Sequence, residues 1–229
     1  MIGREIVFEN TTVDFGGVPA LTHVSLTLDE KRIAVIGSNG SGKSTFARLL
    51  NALTRPTSGT VRVHGLDTTR QQKELRRRVG FVFSNPDAQI IMPTVVEDVA
   101  YSLRGSGLSK VESQAAVQDA LQRFGLDGLR DAPAHLLSGG QKQLLSLCAV
   151  LVSGPSLVVA DEPTALLDAS NSRKMERFLL DEMEQQLVLV THDMRLAARC
   201  DVAIRFEGGE LVDCGEPTDV IARYEKAFA

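Results

Sequence analysis

At 229 residues, with 43% hydrophobic and 24% charged residues, the chain has the make-up of an ordinary soluble globular protein that buries one substantial core. A formal charge of −4, no Trp and only two Tyr exclude non-specific nucleic-acid binding as the main role, because basic surface and stacking platforms are both lacking. No apolar run approaches the roughly 20 residues that span a bilayer. The opening "MIGREIVFEN" lacks the build of a signal peptide, and Cys148, Cys200 and Cys214 lack metal-ligand spacing, so a cytosolic chain with reduced thiols is expected.

Residues 5–8 and "LTHVSLTL" (21–28) alternate as half-buried strands do. "RIAVIG" (32–37) is instead a nearly continuous apolar run, suited to a parallel strand covered on both faces. A glycine-rich turn then leads into a helix over 43–54, and "TVRVHG" (60–65) returns to alternation. "RQQKELRRR" (70–78) reads as a solvated helix face. "GFVFSNPDAQIIMP" (80–93) is a strand running into turn formers. Residues 110–124 set Val117, Ala120, Leu121 and Phe124 at helical spacing, with Gly125 as the stop.

"LVVADE" (157–162) and "LVLVTH" (187–192) are two more buried strands, separated by a helix over 171–185 that carries Met175, Phe178 and Leu179. "VAIRFEGGELVDCG" (202–215) forms a hairpin turning at Gly208-Gly209. The flanks are thus α/β and the centre is mostly helical. This predicts one domain over 1–229, with a core from 1–85 and 151–229 and a helical insertion over about 86–150.

"GSNGSGKST" (Gly37, Ser38, Asn39, Gly40, Ser41, Gly42, Lys43, Ser44, Thr45) matches G-x-x-x-x-G-K-[ST] between a buried strand and a helix. Glycines allow backbone N–H groups to converge on phosphate oxygens, and the helix N-terminus adds partial positive charge. Lys43 reaches the outer phosphates and Ser44 offers its hydroxyl to Mg²⁺. Asp161 and Glu162 end one buried strand and His192 ends another. Alone, such groups are usually turn or structural residues; beside a phosphate loop they fit a metal carboxylate, a general base and a third polar group at parallel-strand ends. "LSGGQ" (Leu137, Ser138, Gly139, Gly140, Gln141) makes a second anion-binding helix end. One nucleotide cannot easily use both ends of one chain, whereas two chains head to tail can.

In their order and spacing these motifs resemble the ATP-binding-cassette family over essentially the whole chain. The resemblance implies a P-loop fold with a mixed-sheet core, an antiparallel β subdomain and an inserted helical subdomain. It implies ATP and Mg²⁺ as ligands, Phe15 stacking on adenine, Glu162 as general base with Lys43 and His192 in catalysis, and Asp168 communicating across a dimer. Ser138, Gly139, Gly140 and Gln141 then bind the nucleotide held by the other chain, and Ser44 and Asp161 hold the metal.

Ser84, Asn85, Pro86, Asp87 and Gln89 fall where the family places the hinge that faces a membrane partner. "NPDAQ" followed by "TVVEDVA" resembles ATPases of energy-coupling-factor importers. Ser84 stands where those usually carry Gln and Leu166 where the communicating loop often has Gly. Lys142, Gln143 and Leu144 follow LSGGQ where Lys-Gln-Arg is frequent. The short C-terminal part and "FSNPDAQIIMPT" look most like biotin importers; cobalt, nickel and other vitamin importers share the framework, and a soluble non-transport ATPase is the more distant alternative. The implied partners are a second ATPase subunit (a copy or a similar chain), a transmembrane coupling subunit and a substrate-binding membrane subunit. The implied location is the cytoplasmic face of the membrane.

Overall fold

A computed structural model describes residues 3–227. The opening decapeptide read above includes residues 1–2, which lie outside them. β1 (Ile6–Asp14) and β2 (Pro19–Leu28) pair antiparallel, and β3 (Arg32–Gly37) follows. After α1 (Lys43–Leu50) come β4 (Ser58–Val63), the short β5 (Leu66–Asp67), α2 (Gln72–Arg78) and β6 (Val79–Val82). Next are α3 (Val95–Tyr101), α4 (Lys110–Phe124) and α5 (Gly139–Leu151). The chain continues through β7 (Leu157–Asp161), α6 (Ala169–Glu176), β8 (Gln186–Val190) and α7 (Met194–Ala197) to β9 (Val202–Glu207), β10 (Glu210–Gly215) and α8 (Pro217–Lys226).

The strands form two sheets. An antiparallel one runs β2-β1-β4-β5, and a mixed one runs β10-β9-β3-β8-β7-β6 with only β10 antiparallel. The continuous apolar runs are explained by what covers them. Ala34, Ile36, Val158, Ala160, Leu187 and Leu189 face a core shared with the later helices. Ile33, Val35, Leu157, Val159, Val188 and Val190 face a second core, built with α1 and the antiparallel sheet. Strand ends of β3, β7 and β8 therefore open on one edge, where a site can form.

Two helices differ from expectation. The first stops at Leu50 because Ala52 adopts a left-handed backbone and Asn51 Oδ1 accepts from the Leu53 N–H at 3.2 Å. The expected helix over 171–185 starts earlier, because Asp168 caps it, and it widens into a π-helix at Arg177–Glu182. That wider turn sets Phe178 against Phe124 of α4, with ring centroids 4.4 Å apart.

α4 obeys its sequence closely. Ser109 and Glu112 form a reciprocal cap, and Gly125 ends the helix at φ 67°. His64 is buried between the two sheets. Its Nδ1 lies 2.9 Å from Ser156 Oγ and its Nε2 2.7 Å from Gln186 Oε1. A Ser–His–Gln string buried in this way ties the layers together and cannot meet a substrate.

Candidate functional site

The turn from β3 into α1 is shaped by steric exclusion. A Cβ on Gly37, whose φ is 143°, would lie 2.2 Å from the Phe206 carbonyl oxygen, and one on Gly42, at φ 104°, would lie 2.7 Å from that of Ala20. Clamped between β9 and β2, the loop from Asn39 to Thr45 lines a cavity of about 240 Å³ together with Ala20 and Glu162. The cradle fits a phosphate chain. The first N–H groups of a helix lack intrahelical partners, and Ser41 Oγ is buried here without a hydrogen-bond partner.

Lys43 is buried, its Nζ donating to the carbonyls of Gly37 at 2.8 Å and Ser38 at 2.7 Å. Burial pushes the Lys43 ammonium below its ordinary value, while the nearby carboxylates Glu162 and Asp161 act in the opposite sense. Ser44 Oγ donates to Asp161 Oδ1 at 3.2 Å. A hydroxyl and a single buried carboxylate suit Mg²⁺, which takes few protein ligands and completes its shell with phosphate and water oxygens. Among the described residues no cluster of three or more His, Cys, Asp or Glu forms an all-protein metal cage.

Asp161 lies at the end of β7, buried, and burial raises its carboxyl above the usual range despite the opposing hydrogen bond from Ser44. The sign follows. The folded chain holds this proton more tightly than the unfolded one, so the residue's contribution is least favourable once pH exceeds the raised value, and stability recovers as pH falls through that window. Asp161→Asn is therefore expected to raise the melting temperature of the nucleotide-free protein at neutral pH by a few degrees. It should also abolish the extra stabilisation that Mg²⁺ gives on top of ATP, as read by thermal melts with and without chelator. A fall in the nucleotide-free melting temperature would show that the buried charge is instead well compensated.

Glu162 follows immediately. Its backbone takes the left-handed conformation at φ 51°, and its N–H donates to the Val190 carbonyl at 2.9 Å, which turns the side chain from the sheet into the cavity. Its Oε2 lies 2.7 Å from His192 Nδ1. The carboxylate is largely covered and the imidazole mostly exposed. This contact exists because β7 and β8 run parallel and in register, with Asp161 opposite Val190.

The remaining expected residues do not line this cavity. Phe15, 57% exposed, sits in the turn between β1 and β2. Ser138 is the N-cap of α5, with its Oγ accepting from Gln141 N at 3.3 Å and its N–H donating to Gln141 Oε1 at 2.9 Å. Gly139 and Gly140 form the first turn behind it. Asp168 caps α6, and hydrogen bonds from Asn171, above all, hold its carboxylate below the ordinary range.

Ser84 is exposed and Asn85 caps a short 3₁₀ turn at Pro86–Ala88. Gln89 points inward, with Oε1 accepting from Phe83 N at 3.1 Å and Nε2 donating to the Ser146 carbonyl at 3.2 Å. Two residues of α5 that sequence reasoning left without a role complete this strap. Gln143 Nε2 donates to the Phe83 carbonyl at 3.0 Å, and Lys142 Nζ lies 2.7 Å from Asp87 Oδ1. A glutamine inside the apolar run of α5 was the available signal for the first. Asn171, which holds Asp168, had no signal at all.

A family model described as ABC transporter matches residues 21–165. The chain is 44% identical over 224 residues to the Biotin transport ATP-binding protein BioM of Rhizobium etli, covering 98% of this chain and 99% of that one. It is 39% identical over 213 residues to the Energy-coupling factor transporter ATP-binding protein EcfA1 of Clostridium perfringens, covering 90% and 76%. Among solved structures, cbiO1 from Clostridium perfringens, part of the ABC transporter complex cbiONQ, superposes with a TM-score of 0.85 at 29% identity, covering 99% of this chain and 93% of that one.

Proposed function

This chain belongs to the ABC transporter family, as an ATPase of the energy-coupling-factor type, and from that premise we propose that it powers the uptake of biotin. The observation that carries the substrate is the 44% identity to a biotin transport ATP-binding protein along nearly the full length of both chains. The site supports the chemistry. Backbone N–H groups of residues 38–44 and the Lys43 ammonium bind and orient the β- and γ-phosphates. Ser44 and Asp161 hold Mg²⁺, which when bound neutralises charge on the phosphate oxygens. Glu162 takes a proton from the attacking water, and His192, 2.7 Å from that carboxylate, orients it and faces the γ-phosphate.

Phe15 stacks on adenine. Ser138, Gly139, Gly140 and Gln141, which do not line their own chain's phosphate cavity, supply the second wall of the site on an opposed chain. Two such sites form when a copy or a similar ATPase docks head to tail. The insertion over about 86–150 and the core from 1–85 and 151–229 then close as lobes. The strap of Ser84, Asn85, Pro86, Asp87 and Gln89 meets the transmembrane coupling subunit, and a separate membrane subunit binds the vitamin. The subunit works at the cytoplasmic face of the membrane; among the described residues no helix is long and apolar enough to cross it.

The test is to capture the chain with its native membrane partners in mild detergent and identify the co-purifying small molecule by mass spectrometry. Stoichiometric biotin is the expected result. A metal ion or another vitamin would discard biotin and keep the importer, and the absence of any membrane protein would remove transport itself.

A further inference from the structure

The two glycines that open α5 have different surroundings. A Cβ on Gly139 would meet only the Leu166 carbonyl oxygen, at 4.0 Å. A Cβ on Gly140 would lie 2.2 Å from Asn171 Nδ2, 2.3 Å from its Cγ and 2.9 Å from its Cβ. The space beside Gly140 is thus already filled by one side chain. That side chain is not free to swing away, because its Nδ2 donates to Asp168 Oδ2 at 2.8 Å while its backbone N–H donates to Asp168 Oδ1 at 2.9 Å. Both Asp168 oxygens accept from Asn171, with the Ser170 N–H sharing Oδ1 at 2.9 Å, and the lowered pKa of that carboxylate keeps it an acceptor.

We propose that Asn171 is a positioning residue that locks Asp168 to Gly140, so that the turn ending at Asp168 and the helix end at Ser138–Gln141 move as a single piece. Gly140 is glycine to admit Asn171, and Gly139 is the glycine that leaves room for a ligand. This rests on the reading of Ser138–Gln141 as the wall of a site on an opposed chain. Asp168, at the edge of the same wall, then sets the wall's position through Asn171.

A double-mutant cycle on the full chain tests it, using Gly140→Ala, Asn171→Gly and the pair. Asn171→Gly removes the Cβ as well, which alanine would leave 2.9 Å from the new methyl group. In the wild-type background Gly140→Ala should lower the melting temperature by about 2–8 °C, as overpacking does in a chain of this size. It should also cut ATP turnover by roughly 10- to 100-fold through misplacement of the helix end. In the Asn171→Gly background the same change should be close to neutral on both readouts. Asn171→Gly alone should lower kcat for ATP and leave KM within about twofold, since the chain's own phosphate loop is untouched.

Equal loss of turnover from Gly140→Ala in both backgrounds would overturn the proposal, because the glycine would then serve the nucleotide directly. A Gly140→Ala protein with unchanged melting temperature would overturn it too. The underlying two-chain reading fails separately, if a Glu162→Gln protein does not dimerise with ATP on size exclusion; the melting-temperature cycle still reports on the Asn171 contact in that case.

Discussion

Glu162→Gln is expected to reduce ATP turnover by about 10²- to 10⁴-fold, the usual range for loss of a positioned general base, while ATP affinity stays within a few-fold. The substitution keeps the length and shape of the side chain, and its backbone conformation at φ 51° is no harder for Gln than for Glu. The amide still reaches His192 across the 2.7 Å contact, so the geometry survives and the basicity is lost. Under the proposed cycle such a protein binds ATP, closes with a second chain and cannot reopen. Turnover by released phosphate and oligomeric state by light scattering, each with and without ATP, read the two halves of the prediction. Unchanged turnover would mean that another group takes the proton and that the contact between Glu162 and His192 is structural.

Lys43→Ala should act one step earlier. Replacing an ammonium that meets two phosphate groups removes charge-assisted hydrogen bonds of roughly 1.5–3 kcal/mol each, which corresponds to about 10²- to 10⁴-fold weaker ATP binding. Among the described residues no other cationic side chain lines the cavity, which is formed by Ala20, Glu162 and the loop from Asn39 to Thr45. The nucleotide-free protein is also affected, because Lys43 Nζ satisfies the carbonyls of Gly37 and Ser38 across the mouth of the turn. Lys43→Arg should not rescue binding: Lys43 is only 7% exposed, which leaves little room for a planar guanidinium. Titration calorimetry with ATP distinguishes this variant from Glu162→Gln, which should bind normally. Retention of wild-type affinity by Lys43→Ala would show that the backbone N–H groups alone hold the phosphates.

The two predictions rest on features of unequal legibility. The phosphate turn was readable because everything that makes it is local: a buried strand, glycines where side chains cannot fit, and a helix start. Glu162 and His192 were each readable as polar groups ending apolar runs. Their 2.7 Å approach was not, since it depends on the parallel register that sets Asp161 opposite Val190. His64 shows the same limit more sharply, because its partners are 92 and 122 residues away and only the stacking of two sheets brings them together. The widening of α6 into a π-helix was invisible because Met175, Phe178 and Leu179 keep helical spacing either way. Gln89 is legible as part of the segment expected to face a partner, but the bonds of its amide to Phe83 and Ser146 are not, because they depend on how α5 packs beside the strap.

The strap around Phe83 bears on mechanical compliance. Phe83 is gripped at both its N–H and its carbonyl, Asp87 is paired with Lys142, and just beyond, the Asp98 carboxylate accepts from the N–H groups of Ile91 and Met92 at 2.9 and 3.0 Å. A load applied at the exposed Ile91 therefore meets little slack before it reaches α3 and α5. Under the proposed cycle the compliance needed for closing therefore lies outside this strap. Stiffness at the input and softness at the joints is how a lever delivers displacement without absorbing it.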